Sequence, residues 1–183
     1  MLAIRNWLLA VTLASLGCDS VTITEPFGAP VAPEQLKTVI GRWSDEESNL
    51  IELRLSKTNE LVGGHLTWDE ETQRFVSKSD KLDIRTAENV NYIFYTEDKE
   101  SSFVRVELIG DGHINFYLPY PDSFRNAVNS GSLNGIVTTK ENGHFHVKIT
   151  ADAKFQEVLA SDNWRHYYYP DLVVKYKRIP LAK

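Results

Sequence analysis

From residue 50 onward, apolar and polar side chains alternate with a period of two, the pattern of strands with one buried face. Residues 50–56 set Ile51, Leu53 and Leu55 against Glu52 and Arg54, and after a polar turn at 57–60 the alternation resumes over 61–68. A charged loop at 69–74 leads to a short strand around Phe75 and Val76 and another over 82–86. Residues 91–96 turn through 97–100 into 103–109, where Phe103, Arg105 and Glu107 oppose Val104, Val106 and Leu108. Gly110-Asp111-Gly112 reads as a tight turn into 113–118, and Asn142-Gly143 joins strands at 132–139 and 144–150. The pattern changes at two places. Glu34 to Ile40 reads as a short helical turn, with Pro33 near its start and Gly41 past its end. Residues 152–160 place Ala153, Phe155, Val158 and Leu159 on one helical stripe, and the last strand spans 172–179.

About nine short antiparallel strands and one late helix predict an all-β fold: a single meander closed into a barrel, with one short helix before the last strand. A two-sheet sandwich is the alternative. Closure removes the open edges through which sheets aggregate.

The first residues carry a different signal. Arg5 precedes an uncharged stretch over 7–16, followed by Gly17-Cys18, which is the layout of a secretory signal and too short for a membrane span. The segment Leu13-Ala14-Ser15-Leu16-Gly17-Cys18 resembles the lipobox of bacterial lipoproteins, with Ser15 where that family favours leucine. The resemblance implies cleavage before Cys18, acylation of that cysteine, and a protein of the bacterial envelope facing the periplasm. Two or three acyl chains hold a protein on a membrane stably. Asp19 resembles the inner-membrane retention signal of enterobacterial lipoproteins and favours that membrane, with the outer one left open. The division expected is a signal peptide over 1–17, a lipidated cysteine and extended tether over 18–33, and the barrel domain over 34–183. The tether reading rests on Pro26, Pro30 and Pro33 in a stretch with few charges.

Gly41-Arg42-Trp43, placed after a helical turn and opening the first strand, resembles the Gly-x-Trp signature of lipocalins and their calycin relatives. The resemblance implies that Trp43 plugs the closed end of a lipocalin-like barrel, with a basic residue of the last strand over its ring. Arg178 is the expected partner and Lys177 the other candidate. The family's second signature has no counterpart here; Tyr95-Thr96-Glu97-Asp98 is the nearest stretch.

The chain is 183 residues long with a net charge of −5, which argues against a nucleic-acid-binding role. Its single cysteine, Cys18, permits no intrachain disulfide and no multi-cysteine metal site. Hydrolase elbows, phosphate loops and the zinc-protease motif do not occur. His144 and His146 share one face of a strand and could supply two metal ligands, but zinc needs at least a third donor, and the polar outer face of a hairpin is the favoured explanation. Asp69, Glu70 and Glu71 are successive loop acids that solvate without chemistry, and Asp111 is explained by its turn. No catalytic residue, metal or cofactor is assigned.

The aromatic clusters carry more. Tyr117 and Tyr120 lie before a loop through Phe124, and Trp164, Tyr167, Tyr168 and Tyr169 precede the last strand. Three successive tyrosines cannot all be buried on one strand face, so at least one is presented outward or to a cavity. With Trp68 these residues are the expected contacts for a ligand or partner. The function expected is a non-enzymatic envelope lipoprotein whose barrel binds a small apolar or amphiphilic ligand. The alternative is a protein-binding accessory (an inhibitor, immunity or assembly factor) with a filled barrel.

Overall fold

The computed structural model describes residues 19–46, 50–69, 73–97, 99–109 and 112–180, with the backbone alone at 33, 65–69 and 74–78. Its strands are β1 (Ser20–Ile23), β2 (Ala29–Pro30), β3 (Gly41–Ser44), β4 (Leu50–Leu55), β5 (Leu61–Asp69), β6 (Arg74–Ala87), β7 (Val90–Glu97), β8 (Glu100–Ile109), β9 (His113–Pro119), β10 (Gly135–Thr139), β11 (Phe145–Ile149) and β12 (Tyr168–Arg178). The helices are α1 (Pro33–Leu36), α2 (Pro121–Asn129), α3 (Ala153–Ala160) and a 3-10 turn at Trp164–Tyr167.

Strands β3 to β9 pair in sequence, and β12 lies between β9 and β3, so eight strands close into an antiparallel barrel. Closure sets the sandwich aside. Alternation along each strand sends one set of side chains inward. Trp43, Ile51, Leu53, Leu61, Leu82, Ile84, Ile93, Val104, Val106, Ile114, Phe116 and Tyr176 form a buried cluster, joined by Leu36 and Val39 from the segment that covers one barrel end.

A second core lies on the outside of the same wall. Strand β9 pairs with β8 from Arg105 to Ile109; nearer its start, β8 instead receives β1, with Ile23 opposite Ser101. Strands β10, β11 and β1 continue from there as a three-stranded flap, β1 running parallel to β11. Tyr92, Phe94, Phe103 and Tyr117 pack beneath the flap and helices with Phe27, Phe124, Phe145, Val147, Phe155 and Tyr168. Phe155 has no solvent exposure, and burying such a side chain is worth roughly 2–3 kcal/mol.

Three expectations are corrected. Residues 20–33 do not form a tether: β1 is built into the sheet, Phe27 is buried, and β2 pairs with Thr86 and Arg85 of β6. Their prolines fall outside β1 or at the edge-strand and helix-start positions that proline tolerates. The loop expected around Phe124 is a helix, with Pro121 in its first turn and Ser123, Phe124 and Ala127 buried along one side. The two short strands expected over 75–76 and 82–86 are parts of the single 14-residue strand β6, paired first with β5 and then with β7. The late helix α3 begins where expected because the Asp152 side chain accepts a hydrogen bond from Phe155 N at 2.9 Å, satisfying a first-turn donor.

Candidate functional site

The closed end of the barrel is built from two distant pieces of chain. Gly41 has φ +149°, a conformation that favours glycine, and a Cβ there would stand 3.6 Å from Arg178 Nε. Trp43, 1% exposed, donates its indole N–H to the Val39 carbonyl at 2.9 Å. The Arg178 guanidinium carbon lies 4.8 Å from the Trp43 ring centroid. Arg178 Nη2 donates to the Thr38 carbonyl at 2.6 Å and the Ile40 carbonyl at 3.0 Å. These are the carbonyls left without helical partners where the α1 segment ends, so one cation seals both ring and turn. Lys177 is exposed and pairs through its backbone with Ser44.

The aromatic residues separate into three groups. Tyr117, Trp164 and Tyr168 meet edge to face, with centroids 5.1 to 6.4 Å apart. Trp164 is half-buried, and the guanidinium carbons of Arg105 and Arg165 lie 3.5 and 4.8 Å from its ring centroid. Tyr117 donates its hydroxyl proton to Glu107 at 2.6 Å; burial, reinforced by that bond, raises its pKa. Tyr168 is buried with no hydrogen-bond partner on its hydroxyl, and burial holds its pKa well above that of a free tyrosine. Tyr120 packs against Tyr169 at 4.8 Å and Tyr167 against Phe124 at 5.1 Å. Trp68 lies in β5, and its side chain is outside the described residues.

Two half-open clefts flank the segment that runs from β2 into α1. The larger, about 460 Å³, has Val31, Leu36, Leu61, Leu82, Ile84 and Phe94 among its apolar lining and Glu60, Lys81, Asp83 and Thr96 among its polar lining. The smaller, about 310 Å³, shares Val31, Leu36 and Ile84 and adds Val39, Thr86, Asn91 and Leu108. Val31 is held in place by its backbone N–H, which donates to Ile84 O at 3.1 Å. Residues 20–33, rich in proline and expected as a tether, carry no pattern that marks their side of this cleft. The alternation of Leu82 and Ile84 with Lys81 and Asp83 was the visible half of it.

No family model, curated protein or solved structure matches this chain.

His144 and His146 join different partners. His144 Nδ1 lies 3.2 Å from Asp19 Oδ1. His146 is surrounded: Nδ1 is 2.9 Å from Ser20 Oγ, and Nε2 is 3.1 Å from both Thr22 Oγ1 and Glu100 Oε2. A carboxylate only accepts, so Nε2 carries a proton toward Glu100. Burial disfavours the charged form of Glu100, but hydrogen bonds from Lys148 and Thr22 and the nearby charges outweigh it and hold the carboxyl below its usual range. This wiring resembles a serine–histidine–carboxylate relay with the ring reversed. Ser20 lies within the paired strand β1 and lines neither cleft. The network stitches β1 to β11 and β8. Among the described residues, no three His, Cys, Asp or Glu side chains gather as metal ligands. Cys18, Glu70, Glu71 and Asp111 lie outside the described residues, as does the side chain of Asp69.

Proposed function

We propose that this chain is a non-enzymatic, lipid-anchored protein of the bacterial envelope that holds a small amphiphilic molecule in the cleft beside Val31. The observation that carries the reading is the larger cleft. Its 460 Å³ falls in the range of small-molecule sites, with an apolar lining and a charged rim. The apolar part of such a molecule would lie against Val31 and the outer edges of Leu36, Leu61, Leu82 and Ile84, and a polar head against Lys81, Glu60 and Asp83. Leu36, Leu61, Leu82 and Ile84 belong to the same buried cluster as Trp43, so the expected ligand sits at the flank of that cluster rather than at its centre. The anchor rests on the lipobox resemblance at Cys18.

Native and denatured mass spectra of Asp19–Lys183 test the reading. Extra mass that leaves on denaturation is the expected result, and Val31→Trp, which fills the cleft, should reduce it while the melting temperature stays within a few degrees. A bare mass, with no retention from a fatty-acid and phospholipid panel, overturns it.

A second reading, a protein-binding accessory, is favoured by the Trp164 surface. A half-buried tryptophan stacked by Arg105 and flanked by Arg165 and Tyr117 has the composition of interface anchors. Under it, Trp164→Ala would weaken partner capture by about 2 kcal/mol or more.

A further inference from the structure

We propose that the anchored protein stands directly on the bilayer with the near end of its flap against the headgroups, and that Asp19 is the pin that holds it there. This rests on the lipid-anchor reading above. Asp19 Oδ1 accepts from the backbone N–H of Phe145 at 2.9 Å and lies 3.2 Å from His144 Nδ1. The next four residues are in register with β11, from Ser20 opposite His146 to Ile23 opposite Ile149. Ile23 has no exposure, and Thr24 N continues the ladder to Ile149 O at 3.0 Å. From Asp19 onward the segment is therefore committed to the fold.

Consecutive α-carbons stand about 3.8 Å apart, so acylation of the residue before Asp19 would hold Asp19 within about the thickness of a headgroup layer of the hydrocarbon. What lies beside Asp19 then meets the membrane. That is the β10–β11 turn, where Lys140 N donates to His144 O and Gly143 N to Lys140 O. The turn offers Lys140, Glu141, Asn142 and His144, both signs of charge and no large apolar side chain. Such a surface suits a zwitterionic headgroup layer and offers nothing for insertion into the hydrocarbon. The far end of the flap, at Thr150, lies five residues beyond Phe145 along the strand, about 17 Å away. One oxygen of the Asp19 carboxylate is engaged by the fold in this arrangement, so this side chain fixes the start of the sheet next to the anchor.

The test uses the full chain expressed in a bacterium, with a photo-crosslinking amino acid at Asn142 or at Thr150. Intact mass reports acylation of Cys18, and mass spectrometry of the irradiated protein reports phospholipid adducts. The expected result is an acylated protein whose adducts at Asn142 exceed those at Thr150 by roughly tenfold, since a short-range label discriminates over about 17 Å. A flexible Gly-Ser insert of about 12 residues between Cys18 and Asp19, with a reach of roughly 20 Å, should abolish that excess with acylation unchanged. Acylated protein with equal adducts at both positions, or an excess that survives the insert, overturns the orientation alone. Absence of acyl mass overturns the anchor and the orientation together.

Discussion

Arg178 is the side chain whose removal gives the sharpest test of how the barrel is closed. Arg178→Ala deletes two hydrogen bonds, to Thr38 O and Ile40 O, and the contact with the Trp43 ring at 4.8 Å. Hydrogen bonds from a charged donor contribute about 1.5–3 kcal/mol when fully desolvated. Thr38 is exposed and Ile40 half-buried, so water partly replaces the lost donor and about 1 kcal/mol per bond is the fitting figure. The ring contact adds about 0.5–2 kcal/mol. The expected loss is about 2–4 kcal/mol, or roughly 5–15 °C in melting temperature for a chain of this size. Urea unfolding followed by near-ultraviolet circular dichroism measures it, since the signal of packed Trp43 reports the same region. Lys177→Ala is the control: its side chain is exposed, and the change should stay within about 0.5 kcal/mol. Arg178→Lys should recover only part of the loss, because an ammonium lacks the planar fork that serves two carbonyls at once. Equal losses for Arg178→Ala and Lys177→Ala, or no loss for either, would refute the reasoning.

Gly135→Ala should cost about 2 kcal/mol or more, because its Cβ would lie 2.6 Å from Lys148 O, a backbone atom that cannot yield without parting β10 from β11; chemical denaturation measures it. Tyr168→Phe should leave stability unchanged or raise it by about 1 kcal/mol, since the hydroxyl removed is buried without a partner; a clear loss in the same assay would show that the hydroxyl is bonded. Glu100 is held below its ordinary value of 4.5 when folded, so its contribution is present above that pH and is lost as acidification passes through the depressed value. Melting temperature against pH should therefore fall on the acid side, with a shallower fall in Glu100→Gln.

The barrel was legible because it is written locally. From β3 to β9 each alternating stretch joins the next locally, and the Gly41-Arg42-Trp43 opening carries its own backbone requirement, as does the Asn142-Gly143 hairpin of the flap. Arg178 over Trp43 was reachable through a family resemblance; the alternation itself points to neither residue. Strand β1 was not legible. Its four residues pair in parallel with a strand about 125 positions later, with no turn between to announce it, and they precede a proline-rich stretch that looks solvated. Helix α2 hid for a related reason, since Pro121, Asp122, Ser123 and Asn126 read as loop until Phe124 and Ala127 find the outer core. Arg105 was visible only as a polar position in an alternating strand; its stacking on Trp164 depends on a 3-10 turn that lies nearly sixty residues further on.

The two cores also explain why the N-terminal segment cannot behave as a leash. Tyr92 and Phe94 face the outer core while Ile93 between them faces the barrel, and Phe103 and Val104 divide in the same way. Strands β7 and β8 are thus buried on both sides, which a barrel alone would not require. Phe94 is covered by Phe27, Phe103 by Phe124 and Phe155 of the helices, and Tyr117 by Trp164 and Tyr168; exposing each would cost roughly 2 kcal/mol or more in buried apolar surface, so the aromatic sequence of this wall demands an outer layer. Phe27 belongs to that layer, its ring tilted against Tyr92 at 4.8 Å and meeting Phe94 and Phe155 edge to face at 5.3 Å. Four residues later Val31 lines both clefts. One short stretch of chain therefore joins the position of the proposed anchor, the outer core and the proposed ligand site. The same aromatic burial that orders this stretch fixes the distance between the other two.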